Sequence, residues 1–340
     1  MVIGASSRPV RIRSGASLAA RQVRPDGMSS TTIRLHMQTI LGANGVIGRE
    51  LSRSLRAYEP RIRQVSRTPR RVHESDELVG ADLLDAKATA DAVAGSSVAY
   101  LVAGLKYEYA TWREQWPRVM FNAIEACRRH DCALVFFDNV YAYGRVDGPM
   151  TEETPYNPSS RKGEVRAEIA TTFMDGVRQG RLRGLIVRAA DFYGPGAVLS
   201  LTHATVTARL QARRTPQWIG NARAQHTFTY TPDAGRTVAL LGNTPSAYGQ
   251  VWHALSSKEP MTGERFVRTA CELAGQPYRL QVAPRWMLRI MGLFSPVLRE
   301  NMEMLYQFED DYVFDSSKVE HAFGVTATSY REGIAAMLAG

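Results

Sequence analysis

The sequence predicts a doubly wound α/β fold: a parallel sheet with helices on both faces, followed by a smaller C-terminal lobe. Three observations predict it. A glycine-spaced turn joins an apolar strand to an amphipathic helix over residues 38–60. Short apolar strands then alternate with helical patterns, which implies parallel strands and ligands at their carboxyl ends. A stretch rich in Met, Leu, Trp and Phe, "APRWMLRIMGLFSPVLRENMEMLYQF", follows near the C-terminus. On this division residues 37–195 form a dinucleotide-binding domain to which 228–255 return, and 196–227 with 256–340 build a substrate lobe.

The first strand is Thr39, Ile40 and Leu41. Gly42, Gly45 and Gly48 follow at GxxGxxG spacing, and Ile47, Leu51 and Leu55 mark one face of the next helix until Pro60. Gly42 allows the tight turn, Gly45 lets the backbone approach a pyrophosphate, and Gly48 lets helix and strand pack closely. Asn44 lies in the loop, and Val46 and Ile47 open the helix, whose free N–H groups suit phosphate. The second strand ends near Ser66. An NAD enzyme carries an acid about twenty residues beyond the glycines to bind the ribose hydroxyls. Arg67 stands here instead, with Arg70 and Arg71 behind it. An arginine grips a 2′-phosphate with two hydrogen bonds, so the expected cofactor is NADP, with NAD as the alternative. Asp82 and Leu83 follow a third strand, and a fourth runs to Ala103 and Gly104, small residues beside which a cofactor can lie.

Composition bounds the function. The chain has 340 residues, 44% of them apolar and 22% charged, as in an ordinary globular protein. No run of eighteen apolar residues marks a membrane span. Cys127, Cys132 and Cys271 are an odd, scattered set, which fits a reducing, cytoplasmic setting without disulfides. Their spacing matches no metal site, so no metal is expected. The net charge is +9, but residues 1–36 carry six arginines and one acid. They account for five of the nine charges and leave four for the rest. With no nucleic-acid motif beside it, that remainder is an ordinary surface. Residues 1–36 lack apolar periodicity and read as disordered, as a transit peptide or as the product of an early start. Met37, immediately before the first strand, is the favoured start.

With "GANGVIG" at 42–48, "ADLLDA" at 81–86, "VRAADFYGPG" at 187–196, "HTFTYTPDAGR" at 226–236 and the terminal "FDSSKVEHAFGV", the chain resembles the extended short-chain dehydrogenase/reductase family, the NAD(P)-dependent epimerase/dehydratase group. The resemblance runs from about residue 38 to the C-terminus and implies a Rossmann fold. It also implies that Asp82 contacts the adenine and that a serine and a YxxxK pair do the chemistry. In that pattern the serine position falls on Asn139, the lysine on Lys162 and the tyrosine on Pro158. Lys162 would hold the nicotinamide ribose, and Asn139 can donate to a carbonyl oxygen. The proton then has to come from Tyr141, Tyr143, Tyr156, Tyr193 or water. The helices "EQWPRVMFNAIEACRR" and "RKGEVRAEIATTFMDGVRQG" correspond to a pair that often forms a homodimer in the family.

Nucleotide-sugar members of the family usually carry an asparagine where this chain has Asp191 and an arginine where it has His226. Both replacements weaken anion binding. The expected function is therefore an NADP-dependent reductase or dehydrogenase acting on a neutral small molecule, with Asp191, Tyr193 and His226 on the substrate side. A nucleotide-sugar epimerase or dehydratase is the first alternative. A cofactor-binding sensor or regulatory protein without chemistry is the second.

Overall fold

The structure, a computed structural model, describes residues 37–340. The segment 1–36, expected to be disordered, lies outside the described residues. Six strands come first: β1 (Met37–Leu41), β2 (Ile62–Ser66), β3 (Glu77–Gly80), β4 (Ser96–Leu101), β5 (Ala133–Asn139) and β6 (Gly184–Ala189). They alternate with the helices α1 (Val46–Leu55), α2 (Ala86–Val93), α3 (Tyr109–Arg129) and α4 (Arg161–Arg178). After them come β7 (Asp191–Tyr193), α5 (Ala208–Gln211), β8 (Gln217–Ile219), β9 (Phe228–Tyr230), α6 (Thr231–Gly242) and β10 (Val251–His253). The chain ends with α7 (Gly263–Leu273), β11 (Gln281–Ala283), α8 (Arg285–Phe294), α9 (Pro296–Asn301), 3-10 turns over Met302–Phe308, α10 (Ser317–Phe323) and α11 (Tyr330–Ala339).

The main sheet has seven strands in the order β10-β6-β5-β4-β1-β2-β3, every pair parallel. Alternation along the strands builds two cores. Ile40, Tyr100, Val135 and Val187 face α1 and α6, while Leu41, Leu101, Phe136 and Ile186 face α2, α3 and α4. The chain runs outward through β1, β2 and β3, then returns to place β4 on the other side of β1. That reversal opens a crevice at the carboxyl ends of β1 and β4, where doubly wound sheets take their ligands.

The segment after β9 rejoins the sheet domain: α6 packs on α1, and β10 pairs with β6 from Val251 to His253. So does α10, where Lys318 donates to the Val251 carbonyl at 2.8 Å and Val319 enters the core beside α6. The remaining C-terminal elements form a lobe around Tyr193, Trp218, Phe228, Phe266 and Tyr330. Two short parallel pairs, β7 with β9 and β8 with β11, brace it. Among the described residues no helix is long and apolar enough to cross a membrane, and no group of His, Cys, Asp and Glu could hold a metal ion. The three cysteines are free and buried.

Candidate functional site

The glycine loop is built by close approach. Gly42 has φ +95°, and a Cβ there would lie 2.4 Å from the Ala103 Cα, so the ends of β1 and β4 meet only because the residue is glycine. Gly48 packs as tightly, on the Ala43 carbonyl. Gly45 differs. Its φ of −65° and ψ of 162° suit any residue, and a Cβ would meet only the Gly42 oxygen, at 3.6 Å. The open side of Gly45 is the side a ligand would approach. No side chain caps the helix that begins at Val46, so its first N–H groups remain available to an anion. Asn44 Nδ2 donates to the Thr68 carbonyl at 2.8 Å, tying the loop to the turn after β2. The Asn44 Oδ1 and Ser66 Oγ atoms are buried without a partner. Unpaired polar atoms on the rim of this crevice fit a nucleotide-shaped ligand.

Ile47 is in the core, Val46 packs against it, and Ala103 packs on the opposite core. Gly104 has open space on its Cβ side. Arg67 is exposed directly after β2, and among the described residues no carboxylate bonds it. Asp82 is exposed, and its carboxylate accepts from the Leu84 N–H at 3.0 Å; half-buried Leu83 anchors that turn, its carbonyl accepting from Asn122 at 2.9 Å. The spacing argument for Gly45 yields an expected result. Gly45→Ala should leave the stability within about 0.5 kcal/mol of wild type, as harmless substitutions do. Dinucleotide affinity should nonetheless fall at least about tenfold, equivalent to about 1.4 kcal/mol. Calorimetric titration beside thermal unfolding checks both halves.

Asn139 closes β5, and its Oδ1 accepts from the Tyr141 N–H at 3.0 Å. That turn spends the amide oxygen and leaves Nδ2 as the donor. Tyr141 then faces the crevice, its ring stacked on Trp112 at 6.2 Å and its hydroxyl 3.3 Å from that of Tyr107. Tyr143 is removed from this group. It is wholly buried, and its hydroxyl lies 2.9 Å from His253 Nε2. Burial pushes the His253 imidazole down to about 3, so the ring is neutral. Its Nδ1 faces the Asp315 carbonyl at 2.6 Å and therefore carries the proton, leaving Nε2 to accept from Tyr143. Tyr143, itself pushed up to about 12 by burial, is thus bound into the framework between β5 and β10.

Lys162 is neither a surface residue nor a free one. It is fully buried, and its Nζ donates to the Glu300 carbonyl at 2.9 Å, to Glu300 Oε2 at 2.7 Å and to Glu303 Oε1 at 2.7 Å. The same carboxylates accept from the backbone N–H groups of Tyr109 and Arg161, at the starts of α3 and α4, at 2.9 and 3.0 Å. Glu300 is held below its usual value of 4.5 by the hydrogen bond from Lys162. The ammonium also lies 4.8 Å from the centre of the Tyr107 ring. Glu300, Glu303 and Tyr107 are not among the candidates that the sequence singles out. The first two lie 138 and 141 positions along the chain from the lysine they bind.

Asp191 and His226 are one feature rather than two. His226 Nε2 lies 2.9 Å from Asp191 Oδ2, with the imidazole stacked between Phe308 and Tyr312 at 4.6 and 4.5 Å. Burial, with the Asp191 charge adding to it, pushes the hydroxyls of Tyr107, Tyr141, Tyr306 and Tyr312 up. Asp191 therefore lies near these four hydroxyls. Tyr193 is instead buried in the lobe core against Tyr230, Phe266 and Tyr330. Two residues apart on a strand, side chains share a face. Along β7 that face passes from the crevice at Asp191 into the lobe core at Tyr193, so nearness in sequence misleads.

Comparison with known proteins gives the family and the fold. The model of the NAD dependent epimerase/dehydratase family matches residues 39–252. A dTDP-glucose 4,6-dehydratase of Mycolicibacterium smegmatis is 31% identical over 128 residues, covering 35% of this chain and 39% of that protein. The match thus spans well under half of that relative's length. The fold is that of a UDP-glucose 4-epimerase from Thermus thermophilus in complex with NAD (TM-score 0.70, 17% identity, 89% of this chain and 98% of that one). It is also that of a dTDP-glucose 4,6-dehydratase from Bacillus anthracis in complex with NAD (TM-score 0.74, 14% identity, 89% and 96%).

Proposed function

The chain belongs to the NAD dependent epimerase/dehydratase family, and from that premise we propose that it oxidises or reduces one carbon of a nucleotide-sugar-like substrate with a nicotinamide dinucleotide. The observation that supports this best is the crevice itself: the open side of Gly45, the uncapped start of α1 and the unpaired Asn44 and Ser66 atoms. When bound, the dinucleotide supplies the hydride exchange with the substrate carbon. The chain's own residues would do the rest. The α1 N-terminus would take the pyrophosphate, Asp82 and the β2 turn the adenosine, and Asn139 Nδ2 would donate toward a substrate oxygen. Asp191 and His226 are bonded to each other, so they would meet a substrate as one unit.

The experiment is incubation of the protein and NAD+ with UDP-glucose, UDP-glucuronate and dTDP-glucose, followed by NMR for an epimer or a 4-keto-6-deoxy product. Either product supports the reading. A second reading, NADPH-dependent reduction of an uncharged carbonyl compound, has one specific observation in its favour: the exposed Arg67 after β2, free of any carboxylate among the described residues. Consumption of NADPH with ketones or enones, and no product from any nucleotide sugar, would select it. Under either reading Arg67→Ala should weaken NADP(H) binding by roughly tenfold to a hundredfold, as loss of a charge-assisted bond of about 1.5–3 kcal/mol would. NAD(H) affinity should be unchanged. Equal loss for both cofactors would remove Arg67 from the 2′ site.

A further inference from the structure

The tyrosine position of the family pattern holds Pro158, and most of the hydroxyls that the sequence offers are engaged elsewhere. Tyr143 is bonded to His253, Tyr156 accepts from Arg188, and Tyr193 is in the lobe core. Tyr107 differs in its place and its exposure. It lies on the loop that follows β4, four residues beyond Ala103, at the mouth of the crevice. Its ring packs edge-on against Trp112 at 5.4 Å, which fixes its direction, and its side chain is only half buried. Its hydroxyl donates to that of Tyr141 at 3.3 Å, a long bond that a substrate oxygen can replace, and the Lys162 ammonium is 4.8 Å from its ring centre. Asp191 and Glu303 lie close enough for their charges to act on it.

Resting on the functional reading above, we propose that Tyr107 exchanges the proton with the substrate oxygen, with Tyr141 as its hydrogen-bond partner. The step balances in the reductive direction as follows. The carbonyl carbon gains the hydride supplied by the reduced dinucleotide, the carbonyl π-bond breaks, and the oxygen takes the phenolic proton of Tyr107. The phenolate left behind accepts a hydrogen bond from the Tyr141 hydroxyl and is reprotonated by water at its exposed edge. Oxidation of an alcohol reverses each movement. A phenol keeps its proton at neutral pH, and burial of Tyr107 holds it more firmly, so donation to the substrate oxygen depends on the basicity that the oxygen gains as hydride arrives. Displacing the two glutamates from Lys162 would turn the same residue into a proton acceptor, because the ammonium would then favour the phenolate.

The test uses the full chain with its dinucleotide and compares Tyr107→Phe and Tyr141→Phe with wild type. Phenylalanine preserves the packing on Trp112, so folding is not in question. Tyr107→Phe should lower kcat by at least about a hundredfold, the low end for general acid–base catalysis, with KM and dinucleotide affinity within about twofold. Tyr141→Phe should lower kcat less and move the pH profile. A readout independent of turnover is the tyrosinate absorbance change on raising pH. In Glu300→Gln/Glu303→Gln one tyrosine should ionise earlier than in wild type, and adding Tyr107→Phe should abolish that early step. Wild-type kcat in Tyr107→Phe, or an early ionisation that survives Tyr107→Phe, overturns the proposal while leaving the functional reading standing. A wild-type chain that turns over no nucleotide sugar or carbonyl compound defeats both.

Discussion

Asp138→Asn is expected to lower the stability of the chain by about 3–5 kcal/mol, the cost of breaking a buried ion pair. Asp138 is wholly buried at the end of β5. Its carboxylate accepts from Arg166 at 2.5 and 2.7 Å and from Arg188 at 3.2 Å. Both guanidinium groups are buried too, held over the rings of Trp116, Tyr143 and Tyr156. One carboxylate thus serves two buried cations, and replacing it with an amide leaves both without an anion. Natural domains have about 5–15 kcal/mol in total, so the variant should unfold at a much lower denaturant concentration. The site should suffer with it, because Asp138 also accepts from the Asn139 N–H at 2.8 Å. A loss below about 1 kcal/mol in urea titration would mean that the arginines find other partners.

Lys162→Met is the second large effect. It should weaken dinucleotide binding and also release the 296–308 segment. Without the ammonium, Glu300 and Glu303 lose the cation they share, and only the exposed Arg161, 3.7 Å from Glu303, remains beside them. The expected cost is about 2–4 kcal/mol, less than for a fully enclosed pair because both carboxylates reach water. Hydrogen exchange reads it directly: the amides of Tyr109 and Arg161, which these carboxylates bond, should lose protection in the variant at equal pH. Glu300→Gln/Glu303→Gln should act oppositely on the cofactor, tightening it by roughly tenfold or about 1.4 kcal/mol, since the lysine no longer has to be taken from two carboxylates. The pH dependence follows from Glu300, whose folded value is depressed. Its contribution is present in full above the usual 4.5 and is lost as pH falls through the lowered value. Amide protection at Tyr109 that is unaltered on descending below pH 4.5 would contradict this.

The cradle is legible in the sequence because every part of it is local. Gly42, Gly45 and Gly48 are read off one turn, and the apolar face of α1 follows within ten residues. Lys162 is legible as a candidate for the same reason, by its place at the start of α4 after the β5 turn. What holds Lys162 is not legible. No local pattern ties Glu300 to a residue 138 positions earlier, and the segment that carries it reads as apolar core. Asp191 and His226 are visible as two separate departures, each of which weakens anion binding. Only the pairing of β7 with β9 brings the two side chains together and makes them a unit. Tyr143 misleads for a simpler reason: the 3-10 turn after β5 points Tyr141 and Tyr143 in different directions.

The edge of the sheet bears on how the chain is made. β6 is buried along its whole length, yet its outer neighbour β10 lies more than sixty residues later, and α10, which covers β10, later still. During synthesis an apolar strand with the sequence GLIVRA therefore stands as an open edge until residue 253 has left the ribosome. Such an edge invites pairing with other chains. Truncations that end before β10 should accumulate as aggregates rather than as soluble dinucleotide-binding fragments, even though every residue of the glycine cradle would be present in them.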